Sequence, residues 1–104
     1  MIDKFLKNLS MHSCSSFLAD SKIGLEKESL RVDKNGTISY KMHPEQFGSS
    51  LTNRYITTDY SEALIEAITP PCGSHNEALR YLDNIIGFVY KNLDNEYLWP
   101  ASMP

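Results

Sequence analysis

The sequence is poor in cysteine, the residue that cross-links chains and binds structural zinc. It has only two, Cys14 and Cys72, and they lie far apart. Neither belongs to a CxxC pair or lies at a zinc-site spacing from a histidine, which argues against a disulfide framework and a structural zinc site. We therefore expect two reduced thiols, as in a cytoplasmic protein.

The sequence also lacks a long apolar run and a basic stripe. Polar residues interrupt the apolar ones near the amino terminus, and the longest later stretch, residues 85–90, is too short to cross a bilayer. Ten basic side chains stand singly against 13 acidic ones, for a formal net charge of -3. This distribution argues against nucleic-acid binding, so we expect neither a nucleic acid nor a membrane as a partner.

The patterns that are present indicate one small folded domain. A chain of 104 residues is one domain at most, and 41% hydrophobic residues are ordinary for a globular protein. Apolar spacings of three and four predict a short helix over residues 2–9 and a helix of about five turns after Ser74. Ser74 and Glu77 have the spacing of a capping box, which marks the start of the long helix.

Strand patterns occupy the middle of the sequence. β-branched and aromatic residues favour strands there, and an Asn-Gly pair predicts a hairpin turn between the first two, although the last segment also fits a short helix. The long helix needs a surface to cover, and an antiparallel sheet provides it, so the predicted fold class is α+β. We interpret residues 41–54 as a long loop. The predicted strands cover residues 23–32, 37–40, 55–58 and 63–69.

Four carboxylates fall on or beside these predicted strands. Glu26 and Glu28 project to the same side of the first strand, about 7 Å apart. Glu66 shares a strand side with two apolar residues, and Asp59 precedes it closely. If the strands are neighbours, the four charges repel one another at neutral pH unless divalent cations lie between them. Carboxylates together with phosphates suit Mg²⁺, which indicates phosphoryl chemistry on ATP.

Simpler explanations stand beside this one. Acidic residues are seldom buried, so Glu26 and Glu28 by themselves fit a solvated strand face more often than a metal site. Glu62 ranks below the other acidic residues because it lies at the polar start of its segment. Arg31 projects from the opposite strand face, where it either pairs with a neighbouring carboxylate or helps to bind substrate; the structural role is the main expectation. The three histidines share no ligand spacing and are expected to be surface or capping residues.

Residues 24–32, GLEKESLRV, resemble the motif G-L-E-[RK]-E-[ST]-L-R-V of bacterial glutamate-cysteine ligases, also called gamma-glutamylcysteine synthetases. Further blocks follow in the order of that family, so that the resemblance extends over nearly the whole chain from residue 23. These blocks are His43-Pro44, GSxLT at residues 48–52, ITTDYSEALIE at 56–66, ITP at 68–70 and WPxSMP at 99–104.

The resemblance implies a fold related to glutamine synthetase, in which an antiparallel sheet forms a funnel-shaped active site. It implies that ATP phosphorylates the γ-carboxylate of glutamate and that the amine of cysteine attacks the acyl phosphate, without a protein nucleophile. This is the first step of glutathione biosynthesis. Matched residue by residue, the family's acidic ligands for Mg²⁺ or Mn²⁺ are Glu26, Glu28, Asp59 and Glu66.

Members of that family are several hundred residues long. The resemblance therefore implies that residues 1–104 are a single incomplete domain, the N-terminal portion of a ligase catalytic domain. Most contacts to ATP, glutamate and cysteine would come from the remainder of the same enzyme, and we expect the chain alone to be inactive. A second hypothesis is a non-catalytic remnant or accessory module that binds a divalent metal or a partner chain.

Overall fold

A computed structural model describes residues 1–11 and 15–101 of the chain. Its four strands form one antiparallel sheet in the order β2-β3-β1-β4, with a long helix against it, which confirms the predicted α+β class. The elements are α1 (Ile2–Met11), α2 (Ser15–Ala19), β1 (Glu26–Val32), a 3₁₀ turn (Glu45–Phe47), β2 (Ile56–Asp59), β3 (Ser61–Ile68), α3 (His75–Asn92) and β4 (Tyr97–Leu98).

The pairing of β1 with β3 fixes which side chains share a face of the sheet. Glu28 lies directly opposite Glu66, and Leu30 lies opposite Leu64. β2 continues the sheet beyond β3, with Thr57 opposite Glu66. Because directly opposed residues point to the same side and neighbours along a strand alternate, the acidic residues collect on one face, which we call the acidic face.

Helix α3 packs against the other face of the sheet, which we call the covered face. The helix begins where the sequence predicts: Ser74 is the N-cap, and its hydroxyl accepts a hydrogen bond from the Glu77 N–H at 3.2 Å. The Glu77 carboxylate reaches back to the Gly73 N–H at 2.9 Å, which satisfies a further backbone donor near the helix start. The core of the covered face consists of Phe47, Ile56, Ile65, Val89 and Leu98.

The predicted returning strand over residues 37–40 is wrong. The turn is present, because the Asp33 carboxylate accepts hydrogen bonds from the N–H groups of Asn35 and Thr37. After it, however, only a single bridge forms, between Val32 and Ile38. The short strand β4 pairs with this end of β1 on its other edge, so that edge is completed by residues that are distant in sequence.

Other boundaries differ from the expectations in smaller ways. The first strand begins at Glu26, and Ile23 forms only an isolated bridge with Cys72. The loop over residues 41–54 contains the 3₁₀ turn, which buries Phe47 almost completely. Cys72 is a buried free thiol, as expected, whereas Cys14 lies outside the described residues.

The N-terminal helix follows the prediction but packs differently from α3. None of the residues of α1 is buried, although its apolar side chains share one side. Among residues 1–11 and 15–101, no helix combines the length and the apolar character that a membrane span requires.

Candidate metal centre

Three of the four predicted ligands come together on the acidic face. Glu28, Asp59 and Glu66 each offer a carboxylate oxygen, and these oxygens lie within 4.8 Å of one another. The strand pairing explains this arrangement, because Glu28 is directly opposite Glu66 and Asp59 follows two residues after Thr57, the partner of Glu66 on β2. Three adjacent strands thus contribute one carboxylate each.

Glu26 does not belong to this group of three, although it lies on the same face. It is opposite Ile68 in the sheet and is exposed to solvent. Its charge nevertheless contributes to the raised pKa of Glu66, together with the charges of Asp59 and Glu28. The fourth predicted ligand is therefore close enough to repel the group electrostatically, but it does not share the arrangement of the three oxygens.

Glu66 is the carboxylate most affected by these surroundings. Desolvation by partial burial is the main cause that raises its pKa above 4.5, and the charges of Glu26, Asp59 and Glu28 raise it further. All four causes make the charged form of Glu66 unfavourable. A cation bound among these carboxylates would remove the repulsion, so the electrostatics favour occupation by a positive ion.

The donor set fits a hard divalent cation. Mg²⁺ prefers oxygen ligands at about 2.0–2.1 Å, so two of its ligand atoms lie at most about 4.2 Å apart. The separations within 4.8 Å in this group need only small movements, and Glu28 and Asp59 are exposed side chains that can make them.

The covered face contains a buried charged cluster that sequence reasoning found only in part. Arg31 is fully buried, and its Nη1 forms an ion pair with the Glu96 carboxylate at 2.7 Å. The expectation that Arg31 pairs with a carboxylate is confirmed. Its partner was not predicted, because Glu96 lies 65 positions away in the sequence and no motif connects the two.

His43 contradicts the expectation of a surface or capping role. Both nitrogens of its ring are buried and have no hydrogen-bond partner among the residues that the structure describes. The ring packs edge-on against Phe47, with a centroid distance of 5.4 Å. Burial and the nearby charge of Arg31 lower the pKa of His43, and Glu62 opposes them in part. His43 is therefore a neutral packing residue at neutral pH.

Fold and site together define a class: an α+β protein whose antiparallel sheet presents a cluster of three carboxylates with the donor atoms that a divalent cation prefers. The comparison with protein families is more specific, because the family model described as Glutamate-cysteine ligase matches residues 6–104. The chain belongs to the glutamate-cysteine ligase family, a family of ligases, as the sequence resemblance implied.

Named relatives agree with this assignment. The chain is 51% identical over 88 residues to the glutamate-cysteine ligase of Wigglesworthia glossinidia brevipalpis, a match that covers 85% of this chain and 17% of the relative. It is 44% identical over 104 residues to the ligase of Pseudomonas fluorescens strain Pf-5, covering 100% of this chain and 20% of the relative. The chain thus spans about a fifth of the length of these relatives.

Solved structures show the same fold. A glutamate-cysteine ligase from Francisella tularensis in complex with AMP matches with a TM-score of 0.76 and 39% identity, over 78% of this chain and 16% of that one. A bifunctional glutathione synthetase from Pasteurella multocida matches with a TM-score of 0.81 and 37% identity, over 92% of this chain and 13% of the other.

Proposed function

We propose that this chain supplies part of the active site of an ATP-dependent glutamate-cysteine ligase that makes gamma-glutamylcysteine, the first step of glutathione biosynthesis. The observation that carries the proposal is the convergence of Glu28, Asp59 and Glu66 on one sheet face, in a chain of this family. The AMP complex of the Francisella tularensis ligase supports a nucleotide co-substrate. The name of the Pasteurella multocida protein supports a role in glutathione synthesis.

The proposed metal ligands are the three that converge, Glu28, Asp59 and Glu66, with Mg²⁺ or Mn²⁺ as the ion, and Glu26 on the same face is proposed as a further ligand. When bound, the ion supplies electrostatic stabilisation of phosphate oxygens during transfer. The chain's own task is to hold the ligands in place. Glu28 and Glu66 do so from directly paired positions on two central strands, which are more rigid supports than loops are.

The reaction that we propose is phosphoryl transfer followed by amide formation. The γ-carboxylate of glutamate takes the terminal phosphoryl group of ATP, and ADP leaves. The amine of cysteine then attacks the acyl phosphate, a proton is lost from the nitrogen, and inorganic phosphate departs. We propose no side chain of this chain as a nucleophile, since the acyl phosphate already activates the carboxyl group; the protein's contribution is positioning and charge stabilisation.

The remaining contacts are proposed to come from outside residues 1–104. The chain corresponds to 17% to 20% of the length of the curated relatives, so we propose that it is the N-terminal wall of a larger catalytic domain. In this proposal the remainder of the same enzyme completes the binding of ATP, glutamate and cysteine. A cytoplasmic location stays a prediction from the sequence.

The direct test replaces Glu28 in the protein that contains this chain in its own cells. Because a metal ligand would be lost, Glu28→Gln should lower gamma-glutamylcysteine formation by at least about 100-fold, as expected when several kcal/mol of charge stabilisation disappear. The matched control is Asp83→Asn, which removes an exposed carboxylate on α3, away from the acidic face. A near-normal rate in Glu28→Gln would reject the metal assignment.

The same experiment separates the ligase from the accessory-module hypothesis. Product from glutamate, cysteine and magnesium-ATP, measured by mass spectrometry, identifies the ligase. If the unaltered protein makes no product although the chain binds Mg²⁺, the non-catalytic hypothesis replaces the proposal.

A further inference from the structure

The guanidinium of Arg31 connects three segments of the chain from inside the covered face. Nη1 is paired with Glu96, just before β4, at 2.7 Å. Nη2 donates to the carbonyl oxygens of Lys41 at 2.9 Å and Glu62 at 3.1 Å. With the side chain fully buried, these bonds are charge-assisted and shielded from water, so they fix the backbone that they reach.

Glu62 lies where the pairing of β2 with β3 is irregular. Thr58 is opposite Ile65, but the next residue, Asp59, is opposite Ser61, so residues 62–64 of β3 fall between the two pairs. Irregularities of this kind redirect side chains and often occur beside active sites. The carbonyl that Arg31 holds thus belongs to the residue directly after Ser61, the partner of Asp59.

A second bond holds the same residue. The Glu62 carboxylate accepts a hydrogen bond from the main-chain N–H of His43 at 2.8 Å. The side chain of Glu62 is therefore attached directly to the segment 41–43, and its carbonyl is attached to Arg31, which also binds the carbonyl of Lys41 in that segment. Only Tyr60 separates β2 from β3, so the start of β3 has little freedom once Glu62 is fixed.

We propose that Arg31 is a positioning residue for the metal centre, acting through the backbone of Glu62 on the β2–β3 turn that presents Asp59. The inference rests on the proposed function, because it assigns a purpose to the position of Asp59. Arg31 does not touch the carboxylate group, since alternation along β1 places it on the face opposite Glu28. Its charge is also neutralised by Glu96, which leaves geometry as the route of its influence.

The test uses the protein that contains this chain in its own cells, with Mn²⁺ alone as the probe. Arg31→Lys keeps the positive charge but loses the planar fork that binds a carboxylate and two carbonyls together. We expect it to weaken Mn²⁺ binding about ten-fold, the lower range for losing a residue that orients a metal ligand. In an Asp59→Asn background, Arg31→Lys should cause almost no further loss of Mn²⁺ affinity, because the ligand that Arg31 positions is already absent.

A second measurement does not depend on the metal. Amide hydrogen exchange of residues 58–62 should accelerate about ten-fold in Arg31→Lys, while the amides of α3 exchange as before, because only the local opening of the turn becomes easier. Unchanged exchange at the turn, or an equal loss of Mn²⁺ affinity with and without Asp59, overturns the inference. If the unaltered protein fails to bind Mn²⁺, the metal proposal fails and the positioning role of Arg31 fails with it, whereas Mn²⁺ binding with unchanged exchange at the turn overturns the inference about Arg31 alone.

Two further variants control for failure to fold and for the effect of an arginine-to-lysine exchange as such. If Arg31→Lys does not fold, Glu96→Gln takes its place, since it keeps an acceptor for Nη1 but removes the charge, and it should give the same changes at smaller size. Arg80→Lys, at an exposed position on α3, makes the same chemical exchange away from the turn. Equal effects of Arg80→Lys on both measurements would also overturn the inference.

Discussion

The two faces of the sheet differ in whether their charged side chains have partners of opposite charge. On the covered face, the buried charge of Arg31 has Glu96 and two carbonyl groups as partners. On the acidic face, four carboxylates lie on adjacent strands, and no ion pair joins them to a basic side chain among the described residues. The charge of Arg31 on the covered face is thus paired within the fold, although its Nε has no hydrogen-bond partner among the described residues, whereas the carboxylates of the acidic face have no basic partner among these residues.

The largest effect should come from breaking the buried pair on the covered face. Glu96→Ala leaves the charge of Arg31 buried without its partner and should lower the free energy of unfolding by about 3 to 5 kcal/mol. Urea unfolding followed by circular dichroism measures the change. The control is Asp94→Ala, whose exposed pairing with Lys41 at 3.5 Å should contribute less than about 1 kcal/mol. Similar losses in both variants would contradict the contrast between buried and exposed charge.

On the acidic face, a cation should add stability. Mg²⁺ at 100 times its dissociation constant should raise the free energy of unfolding by about 2.7 kcal/mol, because it binds the folded chain and not the unfolded one. Glu28→Gln should remove most of this gain, while Glu45→Gln, at an exposed position in the 3₁₀ turn, should keep it. An equal gain in both variants would place the ion elsewhere.

On the covered face, His43 should make the free energy of unfolding depend on pH. Burial and Arg31 lower the pKa of His43 below 6.5, so the unfolded chain binds this proton more readily than the folded one. The stability contributed by the neutral ring is therefore present above 6.5 and is lost as pH falls. Urea unfolding at about pH 7 and about pH 5 should show this loss, smaller than the metal effect, and His43→Leu should flatten it. An unchanged slope in the variant would contradict the assignment.

The smallest expected effect concerns Glu66, whose contribution to the free energy of unfolding changes with pH in the opposite direction to that of His43. The pKa of Glu66 is raised above 4.5, so its contribution to stability is present at low pH and is lost as pH rises. In metal-free solution near neutral pH, Glu66→Gln should therefore stabilise the chain by about 0.5 kcal/mol, the usual size for a partly exposed position. Thermal unfolding well below pH 4.5 provides the control, because Glu66 is then protonated in both the folded and the unfolded state and the gain should disappear.

Local patterns were sufficient for much of the fold. The start of α3 at Ser74 is encoded within four residues, and alternation in residues 23–32 assigns Glu28 and Arg31 to opposite faces. The candidate metal residues follow from the same alternation together with the family motif. Periodicity and capping act over short distances, which is why one sequence suffices to detect them.

These local patterns could not predict contacts between residues that are far apart in the sequence. Nothing near Glu96 in the sequence marks it as the partner of Arg31, and nothing in β4 marks its pairing with β1. Burial of His43 depends on the position of Phe47 in three dimensions. The group of three carboxylates without Glu26 also depends on the register of three strands, which alternation alone does not fix.

The connection through Tyr60 has a consequence for how this protein can vary. Loops usually accept insertions and deletions, and Tyr60 is 92% exposed, so its side chain is free to change. The length of the connection between β2 and β3 is more constrained, because Asp59 and Ser61 are paired across this single residue. Adding one residue would lengthen the turn and loosen the hold of this short connection on the Asp59 carboxylate beside Glu28 and Glu66. At this turn we expect changes in length to cost more than substitutions.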